Sequence, residues 1–382
     1  MARPGLRPMR SLPLLEPRRA ALEKCVFCPK LCRSACPVSN ADPRETITPW
    51  GKMSFSWMAA HGDVPLDLTH AAPAWACTGC HACREFCEHK NPVADVLLDA
   101  RDALARAGTA PLAARRALDR FARHDQATRA ASLALAADAG PMRVRADATD
   151  ALLVGCGYLR GAPREAREAV DAATALSGEP VALVDACCGL PLRLAGDRAG
   201  FARHAASVAR SVEGCARVTV VDAGCARALK QGYPEVGVEL VPTVALLVER
   251  AAGELMRMKQ VFHDVGPVRW HDPCQLGRGL GVYDAPRAVL GRALGHAPDE
   301  MPLHERRENG LCSGAGGLLP ATMPEVSRDI TAARLQAHAN AGGGRIVTGC
   351  ASSLRVMRRA SSGLSSGVAV DDLVSWIARA LR

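Results

Sequence analysis

"CTGCHACREFC", residues 77–87, sets four cysteines within eleven positions, and "CVFCPKLCRSACP", residues 25–37, sets four more upstream of it. The spacings are Cys25-x2-Cys28-x3-Cys32-x3-Cys36-Pro37 and Cys77-x2-Cys80-x2-Cys83-x3-Cys87. A chain of 382 residues buries enough apolar surface to fold without staples, so its 16 cysteines call for a reason other than stability. In a reducing compartment crowded thiols bind metal or do redox chemistry rather than pair as disulfides. Zinc sites usually join two short CxxC knuckles across a longer gap, whereas here each run holds four cysteines, which favours iron–sulfur chemistry.

Three thiols two or three residues apart can wrap one iron–sulfur cube, while a fourth, a turn later, points away from it. This is the arrangement of bacterial two-cluster ferredoxins, in which the last cysteine of each run serves the other run's cluster. It implies one 4Fe-4S cluster on Cys25, Cys28, Cys32 and Cys87 and a second on Cys77, Cys80, Cys83 and Cys36. The forty residues between Cys36 and Cys77 exceed the link of small bacterial ferredoxins and read as helical, which suggests the helical ferredoxin domain of respiratory iron–sulfur subunits. His81, His89, Trp50 and Trp75 are expected to pack or hydrogen-bond around the clusters, and Arg84 and Lys90 to tune potential through charge.

The formal charge of +9 comes almost entirely from arginines scattered along helices, the pattern of a solvated surface rather than a nucleic-acid patch. Aromatic residues make up only 4%, which argues against base-stacking platforms, so no nucleic-acid partner is expected. The N-terminus carries Pro4, Pro8, Pro13 and Pro17 and no apolar stretch of secretory type, so residues 1–20 read as a disordered or surface-draped arm. No run of apolar residues is long enough to span a bilayer. A cytoplasmic protein, or one membrane-associated through a partner, is expected.

Residues 21–110 read as the α-helical ferredoxin domain with its two clusters, and 111–149 as a helical connector rich in alanine and arginine. Beyond Asp150 short apolar runs alternate with helices, the signature of α/β units with parallel sheets. The pattern also repeats, giving a first unit at 150–262 and a second at 263–382. The first reads as strands "ALLVGC", "VALVDACCG" and "RVTVVDAGC" and closes with "VELVPTVALLVERAA". The second reads as strands "VRWHDPC" and "RIVTGC" around "ENGLCSGAGG" and closes with "VAVDDLVSWIARAL". Cysteines recur where a strand gives way to a loop, and carboxyl ends of parallel strands are where sites are built. The fold class expected is therefore α+β multidomain, a helical ferredoxin domain followed by two pseudo-repeated α/β domains. A dinucleotide site at "GCGYLRG" is disfavoured, because Asp185 follows about thirty residues on and cysteines occupy the loops a pyrophosphate needs.

At "CCG" (187–189), "HDPCQLGRG" (271–279) and "CSGAGG" (312–317) the chain resembles the cysteine-rich CCG domains of heterodisulfide reductase and its relatives. These include the iron–sulfur subunits of glycolate oxidase and of anaerobic glycerol-3-phosphate dehydrogenase, and the order of domains is the same along nearly the whole chain. The family pattern gives each repeat a lone cysteine, a Cys-Cys-Gly and a CxxC. Matched to it, the first repeat supplies Cys156, Cys187, Cys188 and Cys225, with Asp222 where another cysteine would stand. The second supplies Cys274, Cys312 and Cys350, with Ser313 and Ser353 in place of cysteines. Heterodisulfide reductase holds noncubane clusters on five cysteines per repeat, and neither repeat here has five.

Four thiols in the first repeat can hold a third iron–sulfur cluster, with Asp222 as a weaker oxygen ligand; three in the second make a weaker case. Cys215 falls outside the pattern and reads as an ordinary buried thiol. The resemblance implies an iron–sulfur electron-transfer subunit working with an FAD-containing dehydrogenase or other flavoprotein, of 2-hydroxy acid or glycerol-3-phosphate type. Electrons would pass to a quinone-linked, membrane-bound or other carrier. The alternative is a heterodisulfide-reductase-like disulfide or thiol reductase with a cluster in the first CCG domain.

Overall fold

The computed structural model describes residues 8–30, 32–363 and 367–382. The chain forms two compact units: Met1–Phe121, Pro191–Gly200 and Cys312–Thr331 make the first, and Ala122–Leu190, Phe201–Leu311 and Ala332–Arg382 the second.

The first unit is helical. Arg19–Val26 delivers Cys25, Pro37–Ala41 starts directly after Cys36, and Pro49–His61 fills the long link between the cysteine runs. Pro49–His61 starts cleanly because the Thr48 hydroxyl accepts the Gly51 amide at 3.0 Å, and it ends at Gly62 in the left-handed region. Val93–Arg106 follows the second run and buries Val96, Leu97 and Ala100 against Leu22, Met53 and Trp75.

The N-terminal arm departs from the surface path expected of it. Residues 1–7, with Pro4, lie outside the described residues, but Met9, Leu12 and Leu15 are buried in the core of this unit. Leu15 lies in the 3-10 turn Pro13–Arg18, and Leu12 directly precedes it, its carbonyl accepting the Leu15 amide at 3.0 Å. The prolines that break an α-helical pattern are thus compatible with packing.

The second unit holds two parallel sheets. The first has the order β2-β1-β3-β4, with β1 Asp150–Leu153, β2 Ala182–Leu183, β3 Arg217–Val220 and β4 Thr243–Leu246. The second has the order β5-β6-β7, with β5 Val268–Trp270, β6 Arg345–Thr348 and β7 Val370–Asp372. The central strands β1, β3 and β6 are each buried from their second residue onward, as a parallel sheet covered on both faces requires. The pseudo-repeat is visible as β1, β3 and β4 against β5, β6 and β7; the place of β2 is taken in the second sheet by a single parallel bridge between Asp299 and Arg269 of β5. The fold is thus a helical ferredoxin-type domain followed by two α/β domains with parallel sheets.

The two sheets are tied together within this unit at their carboxyl ends. Asp222, after β3, accepts the amide of Ala351, after β6, at 3.0 Å, and Tyr158 donates to Asp372 at 2.7 Å. Arg358 reaches the buried Glu165 at 2.8 Å, and Arg227 donates to Gln275 at 2.9 Å. The strands are shorter than the sequence suggests, so the cysteines sit in the turns and helix starts that follow them.

Candidate metal centres

The eight cysteines of the two N-terminal runs converge as two fours, and none is in a disulfide. Cys25 has Cys32, Cys87 and Cys28 as its electrostatic neighbours; burial pushes its thiol up to about 12 and that of Cys32 to about 11. Cys83 has Cys36, Cys77 and Cys80 as its foremost neighbours, with Cys32 after them, and burial pushes its thiol well up too. The last cysteine of each run therefore lies with the first three of the other. Thiols this reluctant to ionise alone become thiolates when a cation takes the proton's place.

The surroundings suit thiolates. Asn91 donates its amide to Cys25 Sγ at 3.0 Å, and the Gly79 amide points at Cys77 Sγ at 3.4 Å. A small cleft, partly open to solvent, is lined by Cys36, Cys77, Cys80 and Cys83 together with Lys52 and His81. Lys52 is 2% exposed and its ammonium lies 3.5 Å from Cys36 Sγ. Burial opposes its charge, but Cys36, Cys77 and Cys83 outweigh burial and hold its pKa above the ordinary value. A buried cation beside four thiols fits the net negative charge of a thiolate-bound cluster. The donor set and the cradle both fit iron–sulfur clusters.

The "CSGAGG" loop belongs to this same unit. Cys312 packs against the core that contains Cys36, Val38 and Ile47, and it is apart in this respect from Cys274 and Cys350, which fall in the second unit. Gly317 adopts φ +66°, and a Cβ there would stand 2.0 Å from the carbonyl oxygen of Cys77, so only glycine lets the loop lie on the second cysteine run. Arg101, fully buried, fastens the two together by donating to the carbonyls of Cys77 at 2.9 Å and Gly317 at 3.1 Å.

Residues flanking the runs take varied roles. Trp50 donates to the Val26 carbonyl at 3.1 Å and carries Lys30 over its ring, Trp75 is core, and His81 is buried in the left-handed conformation, 3.9 Å from Asp95. Arg84 and Lys90, expected to act on the clusters, both reach the Glu85 carboxylate, at 2.7 Å and 3.5 Å, which offsets their charge, and Lys90 also donates to the Glu85 carbonyl at 2.8 Å. Sequence reading missed Lys52 and Asn91. Lys52 is the one Lys, Arg, Asp or Glu in the helix Pro49–His61, and that is the only signal it gave.

In the second unit Cys156, Cys187, Cys188 and Cys225 come together in sequence of contact, with Cys187 buried and 3.8 Å from Cys156. Cys187 is held by the Asp125 carboxylate, which accepts its amide at 2.8 Å, and by His204, whose ring meets its carbonyl at 2.7 Å. Gly189 completes the Cys-Cys-Gly at φ +80°, where a Cβ would stand 2.9 Å from His204. Asp222, expected as an oxygen ligand, is otherwise engaged. Its Oδ1 accepts the amides of Gly224 and Cys225 and its Oδ2 that of Ala351, so it caps a helix and joins the two sheets. Cys350 lies beside Asp222 and Cys274, its thiol pushed up to about 12 by burial, and Ser353 hydrogen-bonds to it. Cys215 is half-buried rather than buried, apart from these groups and near Asp150.

The profile of the 4Fe-4S dicluster domain matches residues 21–91, and that of the Cysteine-rich domain matches residues 151–230 and 268–356. The chain is an iron–sulfur protein that joins a dicluster domain to two cysteine-rich domains. Its homologues are subunits of heterodisulfide reductases and related iron–sulfur oxidoreductases. It is 27% identical over 206 residues to a dihydromethanophenazine:CoB–CoM heterodisulfide reductase subunit of Methanosarcina barkeri, covering 51% of this chain and 49% of that protein. It is 33% identical over 146 residues to a fumarate reductase (CoM/CoB) subunit of Methanothermobacter marburgensis, covering 38% and 28%. To EtfAB:quinone oxidoreductase of Syntrophomonas wolfei it is 32% identical over 136 residues, covering 34% and 18%. These matches span about half the length of the relatives or less. Among the described residues no helix is long and apolar enough to cross a membrane.

Proposed function

We propose that the chain is the iron–sulfur electron-transfer subunit of an oxidoreductase, passing electrons between a flavoprotein dehydrogenase and a quinone or other carrier. The flavoprotein would be of the 2-hydroxy acid or glycerol-3-phosphate type. The observation that carries the reading is the pair of four-thiol groups in one compact unit: Cys25, Cys28, Cys32 and Cys87, and Cys77, Cys80, Cys83 and Cys36. Each 4Fe-4S cluster, when bound, supplies one-electron storage that a hydride-accepting flavin needs from its partner.

The chain's own groups set the terms of that storage. Lys52 places a buried positive charge beside the second four, while Asn91 gives the first four a neutral hydrogen bond. Added electron density is therefore favoured more on the side of Lys52. The relatives include a quinone oxidoreductase and subunits of larger reductases, which supports assembly with other chains.

The test is paramagnetic resonance of the anaerobically reduced protein followed by mixing with a soluble quinone. Two unpaired spins per chain, discharged by the quinone, are expected. A reduced protein without cluster signals, or one whose signals the quinone leaves untouched, would contradict the relay to a quinone.

A further inference from the structure

Phenylalanine is scarce in this chain, with six in 382 residues, yet two of the six adjoin cysteines of the first four-thiol group. Phe27 lies between Cys25 and Cys28, and Phe86 directly precedes Cys87. Because Cys87 sits with Cys25, the crossing of the runs brings one phenylalanine from each to the same four thiols. Phe27 is 76% exposed and Phe86 51%. Among the described residues, the other exposed large apolar side chains are aliphatic or methionine, so the two rings at the first four are the exposed aromatic ones.

The backbone beneath each ring is held. The Phe27 amide donates to the Glu23 carbonyl at 3.1 Å and the Phe86 amide to the Ala82 carbonyl at 3.3 Å, so both rings are presented on fixed turns. In the first four only Cys25 is buried, whereas in the second Cys36 and Cys80 are both buried, alongside Lys52 and His81. The first four is therefore the one closer to a partner's reach.

Charge around the rings is largely spent locally. Glu85 takes Arg84 and Lys90, Glu45 takes Lys30 and Arg33, and Glu23 takes Arg19. Lys24 and Glu88 are exposed and of opposite sign. The positive excess that remains is offset by the net negative charge of a thiolate-bound cluster. A face so balanced selects an apolar, weakly charged surface on its partner rather than an acidic one. Projecting rings enter pockets on another protein, whereas a free quinone needs a concave site.

We propose that Phe27 and Phe86 anchor the flavoprotein and that the cluster on Cys25, Cys28, Cys32 and Cys87 is the entry for its electrons. The assignment rests on the relay proposed above and adds where its flavoprotein docks. A dihydroflavin gives up two electrons and two protons; each cluster takes one electron, and the protons leave to water. The buried charge of Lys52 beside the second four draws the first electron onward.

The test uses the tagged full-length chain, purified anaerobically from its own cells, with acid-released flavin counted per chain. About one flavin per chain is expected, retained when salt is raised from about 0.15 M to about 0.5 M. Benzoylphenylalanine in place of Phe27 or Phe86 should photo-crosslink to the flavin-bearing chain, and in place of Met256, 91% exposed, it should not. Phe27→Ser with Phe86→Ser should weaken the complex at least roughly 30-fold, the loss of a buried aromatic anchor, with iron content and circular dichroism unchanged. Phe27→Trp with Phe86→Trp should keep the flavin. A double serine variant that holds flavin as the parent does would overturn the docking face and leave the relay standing. Crosslinks from positions 27 and 86 to a second copy of this chain, or a complex that falls apart at the higher salt, would overturn it too. A parent preparation without flavin would count against the flavoprotein reading itself, and this face would fall with it.

Discussion

Lys52 is the residue whose chemistry bears most on the first unit. A lysine 2% exposed would ordinarily lose its proton, and here Cys36, Cys77 and Cys83, as thiolates, hold its pKa above the ordinary value. Cluster potentials follow net charge and hydrogen bonds to sulfur. Lys52→Met keeps the length and apolar stem, and it should lower the potential of the cluster at Cys36, Cys77, Cys80 and Cys83 by on the order of tens of millivolts. A redox titration checks this, and an unchanged potential would show that Lys52 serves packing alone. Asp222 makes the opposite point: a carboxylate standing in a cysteine's place looks like a ligand, but three backbone amides claim its oxygens.

Among elements, the crossing of the two cysteine runs is the most consequential arrangement. Helix Pro37–Ala41 begins with Pro37, which turns the chain away immediately after Cys36 and leaves that thiol beside Cys83 rather than with its own run. Cys36→Ala should therefore abolish the same paramagnetic signal as Cys80→Ala and spare the one lost in Cys25→Ala. If Cys36→Ala and Cys25→Ala remove the same signal, the crossing is wrong.

A second element-level contact governs pH dependence. At the start of the helix Leu373–Ala380, burial, reinforced by Glu165 and Asp222, pushes the Asp372 carboxyl up to about 7 from an ordinary 3.8, although Val374 and Tyr158 donate to it. The folded protein then holds a proton that the unfolded chain releases. Stability from this group is full below the ordinary value and is lost as pH rises through about 7. Asp372→Asn should flatten the fall in unfolding free energy between about pH 4 and 7, by an amount on the order of 1–4 kcal/mol. An identical pH profile in both proteins would show that Asp372 does not carry the proton.

Across the whole molecule, local patterns were legible and long-range partners were not. Cysteine spacing carries the two four-thiol groups because ligands two or three residues apart are placed by one turn of chain. Strand and helix patterns carry the parallel sheets, down to cysteines just beyond β1, β3 and β6. What stayed hidden depends on contacts across many residues: Lys52 with Cys36, Asn91 with Cys25, and the "CSGAGG" loop on the backbone of Cys77. The buried Met9, Leu12 and Leu15 were hidden for another reason, since the prolines among them break any helical period that would mark a core face.

The central claim is that eight cysteines of the first unit hold two four-iron clusters. Iron and acid-labile sulfide per chain, measured on anaerobically purified protein, test it most directly. About eight of each is the result expected of a two-cluster relay. Little iron, with zinc in its place, would contradict the account.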